Sequence, residues 1–283
     1  MIGAVLGLAL HGDAAFAWTR FEVHASVAVG CALLLGGYGY AVLGPGRRRI
    51  PGAARVGRAR VGSFVAGVAA LFLALNGPLH DLSDLYLFSA HMVQHMLLVL
   101  VVVPLLLVGC PAWALRPVVA RPPVARWVRR ATHPLVAYAV YNLVFLGWHW
   151  PGFYNAALEH HGLHVVQHLT FLAAAACLWW PVVNPVPELG RLPDGLPTMG
   201  YLFAAGIPAT ILSAFLTFSD RVWYAWYDRA PRVVGLTPLE DQRLGGLVMW
   251  IPGMLLFWIA ITAVYLRWTR EEYRGWRGSG ARP

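Results

Sequence analysis

The sequence predicts an all-α fold, a polytopic membrane bundle of about seven transmembrane helices, on three observations. Hydrophobic residues make up 58% of the 283 positions and charged residues only 12%, against about a quarter charged in soluble domains. Apolar stretches long enough to span a bilayer recur from one end of the chain to the other. The basic residues, all 22 of them arginine, gather in a few connecting segments, which is a signal of membrane orientation. The net charge of +9 therefore points to a lipid surface and not to nucleic acid, which would need a basic face.

In chain order, residues 1–21 are expected to form an extracytoplasmic leader or interfacial segment. Positions 1–17 are apolar and end in Ala15-Phe16-Ala17, which is shaped like a cleavage site, but the basic region that opens a signal peptide is missing. A membrane domain over 22–266 holds the stretches 22–43, 62–79, 87–109, 134–149, 162–183, 199–217 and 244–266, each near the ~20 residues a spanning helix needs. Pro104, Pro208 and Pro252 fall inside these stretches and are read as kinks, tolerated where neighbouring helices satisfy the freed carbonyl. Residues 267–283 form a basic tail.

The arginines orient the bundle. Segment 44–61 carries Arg47, Arg48, Arg49, Arg55, Arg58 and Arg60; segment 110–133 carries Arg116, Arg121, Arg126, Arg129 and Arg130; the tail carries Arg267, Arg270, Arg274, Arg277 and Arg282. With seven spans all three lie on one side, and the positive-inside rule makes that side cytoplasmic. Segments 80–86 and 150–161 have no arginine but hold Asp81, Asp84 and Glu159. The expected location is thus a bacterial inner membrane, with the N-terminus outside and the C-terminus cytoplasmic. The segment 218–243 mixes both signs of charge and is neutral to this reading.

Histidine then falls on the opposite side from arginine. His11, His24, His80, His91, His95, His149, His160, His161, His164 and His168 are all placed extracytoplasmically, and only His133 is cytoplasmic. His91 and His95 are four residues apart and project from one helix face; His164 and His168 repeat the spacing on another span, with His161 in the same arc. His149 ends its span at a matching depth. Buried imidazoles without partners are costly, so the two pairs call for a shared ion, a haem or a tight hydrogen-bond network. Imidazole suits copper, zinc and iron, and the thioethers of Met92 and Met96 favour reduced copper. For His11, His24, His80 and His160 the plainer reading is interfacial anchoring or interhelical hydrogen bonding. Cys31, Cys110 and Cys177 form no CxxC motif or disulfide framework and are read as packing residues.

All thirteen acidic residues lie in loops or near span ends, so nothing resembles the mid-membrane carboxylate of a proton-coupled pump. No HExxH, Ser/His/Asp arrangement, Walker motif or dinucleotide fingerprint occurs. The chain is not expected to be an enzyme. Its tryptophans, among them Trp148, Trp150, Trp179, Trp180 and Trp250, fall mostly near span ends as interfacial belts or packing.

Longer motifs carry a family likeness. Phe88-Ser89-Ala90-His91-Met92-Val93-Gln94-His95-Met96 is followed by Pro104-Leu105-Leu106 and Gly109-Cys110-Pro111. Trp148-His149-Trp150-Pro151 precedes Tyr154 and Ala157, and the His164 to His168 pair leads to Trp179-Trp180-Pro181. Leu239-Glu240-Asp241-Gln242 leads to Gly246-Leu247-Val248-Met249-Trp250-Ile251-Pro252. In this order, over about residues 60–266, they resemble the CtaG family of cytochrome c oxidase assembly proteins. The resemblance implies an integral membrane factor for maturation of a haem-copper oxidase, associated with copper handling. The family pattern falls on His91, His95, His149, His164 and His168, and also on Asp241 and Met249. His24 and His80 lie outside it, and Cys110 stands where the family has a small apolar residue.

The expectation is an assembly factor that holds copper among His91, His95, His149, His164 and His168. It would pass the ion by ligand exchange to cytochrome c oxidase subunits or a periplasmic copper chaperone, using neutral imidazoles that lose affinity when protonated. The alternatives are a haem-binding membrane redox protein and a copper permease.

Overall fold

The computed structural model describes residues 16–278, except positions 51 and 191. Most of the leader segment and His11 lie outside the described residues. No strand occurs among those described.

The first apolar stretch is α1, Ala25–Tyr38, which runs on as a π-helical turn over Gly39–Leu43. The arginine-bearing link holds the short helix α2, Gly46–Arg49. α3, Arg58–Ala74, and α4, Gly77–Leu85, are two arms bent by 47°. The bend has a local cause: Gly77 has φ +66°, a conformation open to glycine, and Pro78 follows it in the first turn of α4, where a missing N–H costs nothing. The Asn76 side chain donates to the Phe72 carbonyl at 2.7 Å and accepts from the His24 N–H at 2.7 Å, so the entry to α1 is fastened to this corner.

The third span comprises α5, Phe88–Met96, a π-helical segment over Leu97–Val102, and α6, Val103–Gly109. Pro104 explains the irregular middle. It has no N–H to give, and in an i to i−5 ladder its missing bond would fall on the Val99 carbonyl. The Trp179 indole N–H supplies a donor to that carbonyl at 2.9 Å, which gives the Trp179-Trp180-Pro181 motif a structural reason.

Two short helices follow at the arginine-bearing end, α7, Ala112–Val119, and α8, Pro122–Ala131. Arg116 of α7 donates to Glu188, and that hydrogen bond holds the Glu188 carboxyl below its ordinary value. α9, Pro134–His149, and α10, Pro151–Glu159, are separated at Trp150, whose extended backbone (ψ 127°) is the conformation a following proline favours. α11 covers His161–Val183 and α12 covers Leu196–Thr217. The link 218–243 contains α13, Ala225–Arg229, and the last described helix is α14, Pro238–Gly278.

Every stretch read as a span is helical, but the count of seven is not reproduced by length and composition. Five helices qualify, or six when α3 and α4 are taken together. The one that falls short is α9, with 16 residues, about 24 Å against a hydrocarbon core of ~30 Å. α14 errs the other way. It has 41 residues, about 60 Å, and carries the helix into the segment assigned to the tail.

Large apolar side chains face outward along the spans, such as Leu33, Leu135, Leu143, Leu169, Phe215 and Ile251, each at least 60% exposed. In water such a belt would drive association; in lipid it is the solvated surface. Inside, Val99, Leu100, Phe171, Leu178, Trp179 and Phe257 form the main core.

α14 packs closely on α5 and α12 because Gly245 and Gly246 have no side chain. A Cβ on Gly246 would sit 2.9 Å from the Thr217 backbone N and 3.0 Å from the Ser213 carbonyl oxygen, neither of which can give way. Gly246→Val should therefore lower stability by about 1–3 kcal/mol, read as thermal unfolding in detergent. Gly30→Ala, where nothing lies within 4 Å, should leave the unfolding midpoint nearly unchanged.

Candidate metal centre

The site begins with the start of α5. Asp241, fully buried in the first turn of α14, accepts from the Phe88 N–H at 2.7 Å, from the Ser89 N–H at 3.1 Å and from the Ser89 hydroxyl at 2.5 Å. A carboxylate borrowed from another helix thus caps the N-terminal end of α5, where the free N–H groups and the helix dipole favour negative charge. The Leu239-Glu240-Asp241-Gln242 motif thereby fixes the helix that carries His91 and His95.

Four residues further on, the spacing of the histidines takes effect. His91 and His95 point the same way, with their Nε2 atoms 2.8 Å apart. α11 brings His164 and His168 opposite them: ring centroids are 5.6 Å apart for His91 and His164 and 5.1 Å for His95 and His168. One ligand atom from each of the four lies within 4.8 Å of every other. A tetrahedral ion with metal–nitrogen bonds of about 2.0–2.1 Å needs nitrogens roughly 3.3 Å apart, so rotamer adjustments on the order of an ångström would close the shell.

The surroundings prepare these rings as ligands. The His164 Nδ1 lies 3.3 Å from Asp84 Oδ2, leaving Nε2 as its lone-pair nitrogen, the carboxylate–histidine arrangement common beside metals. The Nδ1 of His91 lies 3.2 Å from the Ser83 carbonyl oxygen and 2.9 Å from Tyr227 Oη, so its Nε2, which faces His95 Nε2, can carry the lone pair. Tyr227 donates to the Ser83 carbonyl, and the Trp226 indole donates to the Asp84 carbonyl; α13 thus clamps the end of α4. The Asp84 Oδ2 also lies 3.5 Å from His80 Nε2, whose Nδ1 is 3.1 Å from the Gln94 amide nitrogen.

His95 Nδ1, His164 Nε2 and His168 Nε2 are buried without hydrogen-bond partners. Each such group costs about 1–3 kcal/mol when left unsatisfied. A bound cation would satisfy the two Nε2 atoms directly, and that is the observation by which the four residues fit a metal.

His149 stands apart from this group. It is buried at the end of α9, its Nδ1 bonded to the Phe145 carbonyl at 2.7 Å and its Nε2 unpartnered. Met249 packs with Met92, Phe88, Tyr154, Tyr224 and Tyr227 beside the histidines. His24 and His80 stack edge to face with centroids 4.5 Å apart, next to the site rather than in it. His160 and His161 are exposed.

The family pattern reaches Asp241, but sequence reasoning missed two other supporting residues, Asp84 and Tyr227. Asp84 was grouped with loop acids, although its spacing of four from His80 on a helix was a usable signal. Tyr227 lies in the segment whose charges said nothing, 136 positions from His91, and no local pattern reports that contact.

Fold and site together define a multi-pass helical membrane protein with a buried four-imidazole cluster. The chain belongs to the cytochrome c oxidase caa3 assembly factor family, Caa3_CtaG, which it matches over residues 36–271. It is 28% identical over 264 residues to uncharacterised proteins of Mycobacterium bovis and of Mycobacterium tuberculosis, covering 87% of this chain and 39% of each relative. A Mycobacterium leprae protein, also uncharacterised, is 27% identical over 205 residues, covering 66% of this chain and 31% of that relative. The chain therefore spans less than half the length of these relatives. No solved structure matches it.

Proposed function

We propose that this oxidase assembly factor holds copper as cargo among His91, His95, His164 and His168, with His149 alongside, and delivers it to an oxidase subunit or a periplasmic copper chaperone. The observation that carries the reading is the convergence of four imidazole nitrogens from two helices within 4.8 Å. Neutral nitrogen donors with no carboxylate among them suit copper, and unlike a hard-cation site they exchange ligands readily. The arginine-rich links and tail support a reading in which this cluster faces the periplasm of a bacterial inner membrane, with the N-terminus outside. That is the side on which an acceptor domain would meet it.

One equivalent of Cu(II) added to the detergent-purified chain tests the reading. We expect one tightly held ion whose paramagnetic resonance shows coupling to several imidazole nitrogens. A chain that elutes free of copper, or a spectrum without nitrogen coupling, would overturn it. For delivery, cells lacking the gene should assemble oxidase with less copper per haem, and normal copper content would exclude that role.

A further inference from the structure

Four of the chain's six methionines line a single cavity in the core, next to the four-histidine cluster. Met92, Met96, Met249 and Met254 share it with His95 and His149. The cavity measures about 40 Å³, room for a few water-sized groups and far too little for a haem, a quinone or a lipid. No carboxylate lines it.

Two imidazoles line it, and each has a buried ring nitrogen without a hydrogen-bond partner, Nδ1 of His95 and Nε2 of His149. His149 is 2% exposed, and with Nδ1 committed to the Phe145 carbonyl, its Nε2 lone pair has no partner. Two glycines in the wall make space for sulfur. The Met254 Sδ lies 2.7 Å from where a Cβ on Gly206 would stand, and the Met96 Sδ lies 3.3 Å from that of Gly253. Any side chain at Gly206 would displace the thioether.

From this geometry we infer a second ion site, distinct from the four-histidine cluster, that takes Cu(I) through methionine thioethers and the His149 Nε2. Thioethers are soft, weak and uncharged donors. They discriminate against divalent hard cations and favour a monovalent d¹⁰ ion, whose burial costs less than that of a doubly charged one. His95 belongs to both places, its Nε2 facing His91 and its ring lining the cavity. A Cu(I) ion exchanging ligands at His95 would pass between a nitrogen site and a sulfur site with no change of oxidation state. The inference rests on copper as the cargo for the identity of the ion, but not on occupancy of the four-histidine cluster.

The test loads the purified full chain anaerobically with excess Cu(I), counts ions per chain and reads the copper X-ray absorption shell. We expect two ions and a mixed nitrogen and sulfur shell. In Met96→Leu/Met254→Leu, a swap that conserves volume and is tolerated in cores, one ion and most of the sulfur scattering should be lost. In His164→Ala/His168→Ala the sulfur-bound ion should stay and the nitrogen-rich one should go. A nitrogen-only shell with one ion in the unaltered chain would overturn the second site while leaving the four-histidine reading intact, whatever the variants do. A single sulfur-rich ion that survives His164→Ala/His168→Ala would have the opposite effect.

Discussion

Replacing His91 and His95 together with alanine should weaken Cu(II) binding by roughly three to four orders of magnitude. Four-ligand sites bind their ions with about 10–16 kcal/mol, so each ligand contributes about 3 kcal/mol. Losing two removes about 5–6 kcal/mol, and each tenfold change in affinity is about 1.4 kcal/mol. Competition with a chelator of known affinity measures the loss, and circular dichroism and elution volume check that the bundle remains folded. Retained affinity would take these two residues out of the site, since their Nε2 atoms, 2.8 Å apart, cannot both leave the shell unnoticed.

Asp84→Ala should cost about 10–100-fold in copper affinity, as removal of a carboxylate behind a metal-bound histidine typically does. The physical reason is that one oxygen, Oδ2, faces both His164 Nδ1 at 3.3 Å and His80 Nε2 at 3.5 Å. Without it the His164 ring loses its fixed tautomer and its orientation, and its Nε2 no longer presents a lone pair to the ion in a single pose. Asp81→Ala serves as the control: it removes a charge from the same helix without touching these rings. Equal losses in the two variants would mean that Asp84 acts through general charge and not through His164.

Much of this was legible in the amino acids, for identifiable reasons. Spans announce themselves by length and apolarity, and an i, i+4 histidine pair has to share a helix face, so His91 with His95 and His164 with His168 could be paired before any fold was known. What sequence lacks is rotation about the helix axis between distant elements. His149 lies at the right depth, but α9 leaves it outside the group of four, among the residues that line the methionine cavity. The length of α9 was readable from Pro134 and Pro151, although its 16 residues were counted as a full span. The second stretch was ended at 79, yet helix continues to Leu85 beyond a corner that Asn76 and Gly77 create. The cap on α5 by Asp241 and the clamp by Tyr227 join residues more than a hundred positions apart, and only folding reveals such contacts.

The wide turn at Leu97–Val102 has a consequence for how this span is aimed. One added residue in a turn swings everything beyond it by about 100° around the axis. The histidine-bearing half and the half that meets α3 are therefore phased separately, as two dials on one rod. A chain short of one residue there would still be thick enough for the bilayer, but its two halves could not both face their partners.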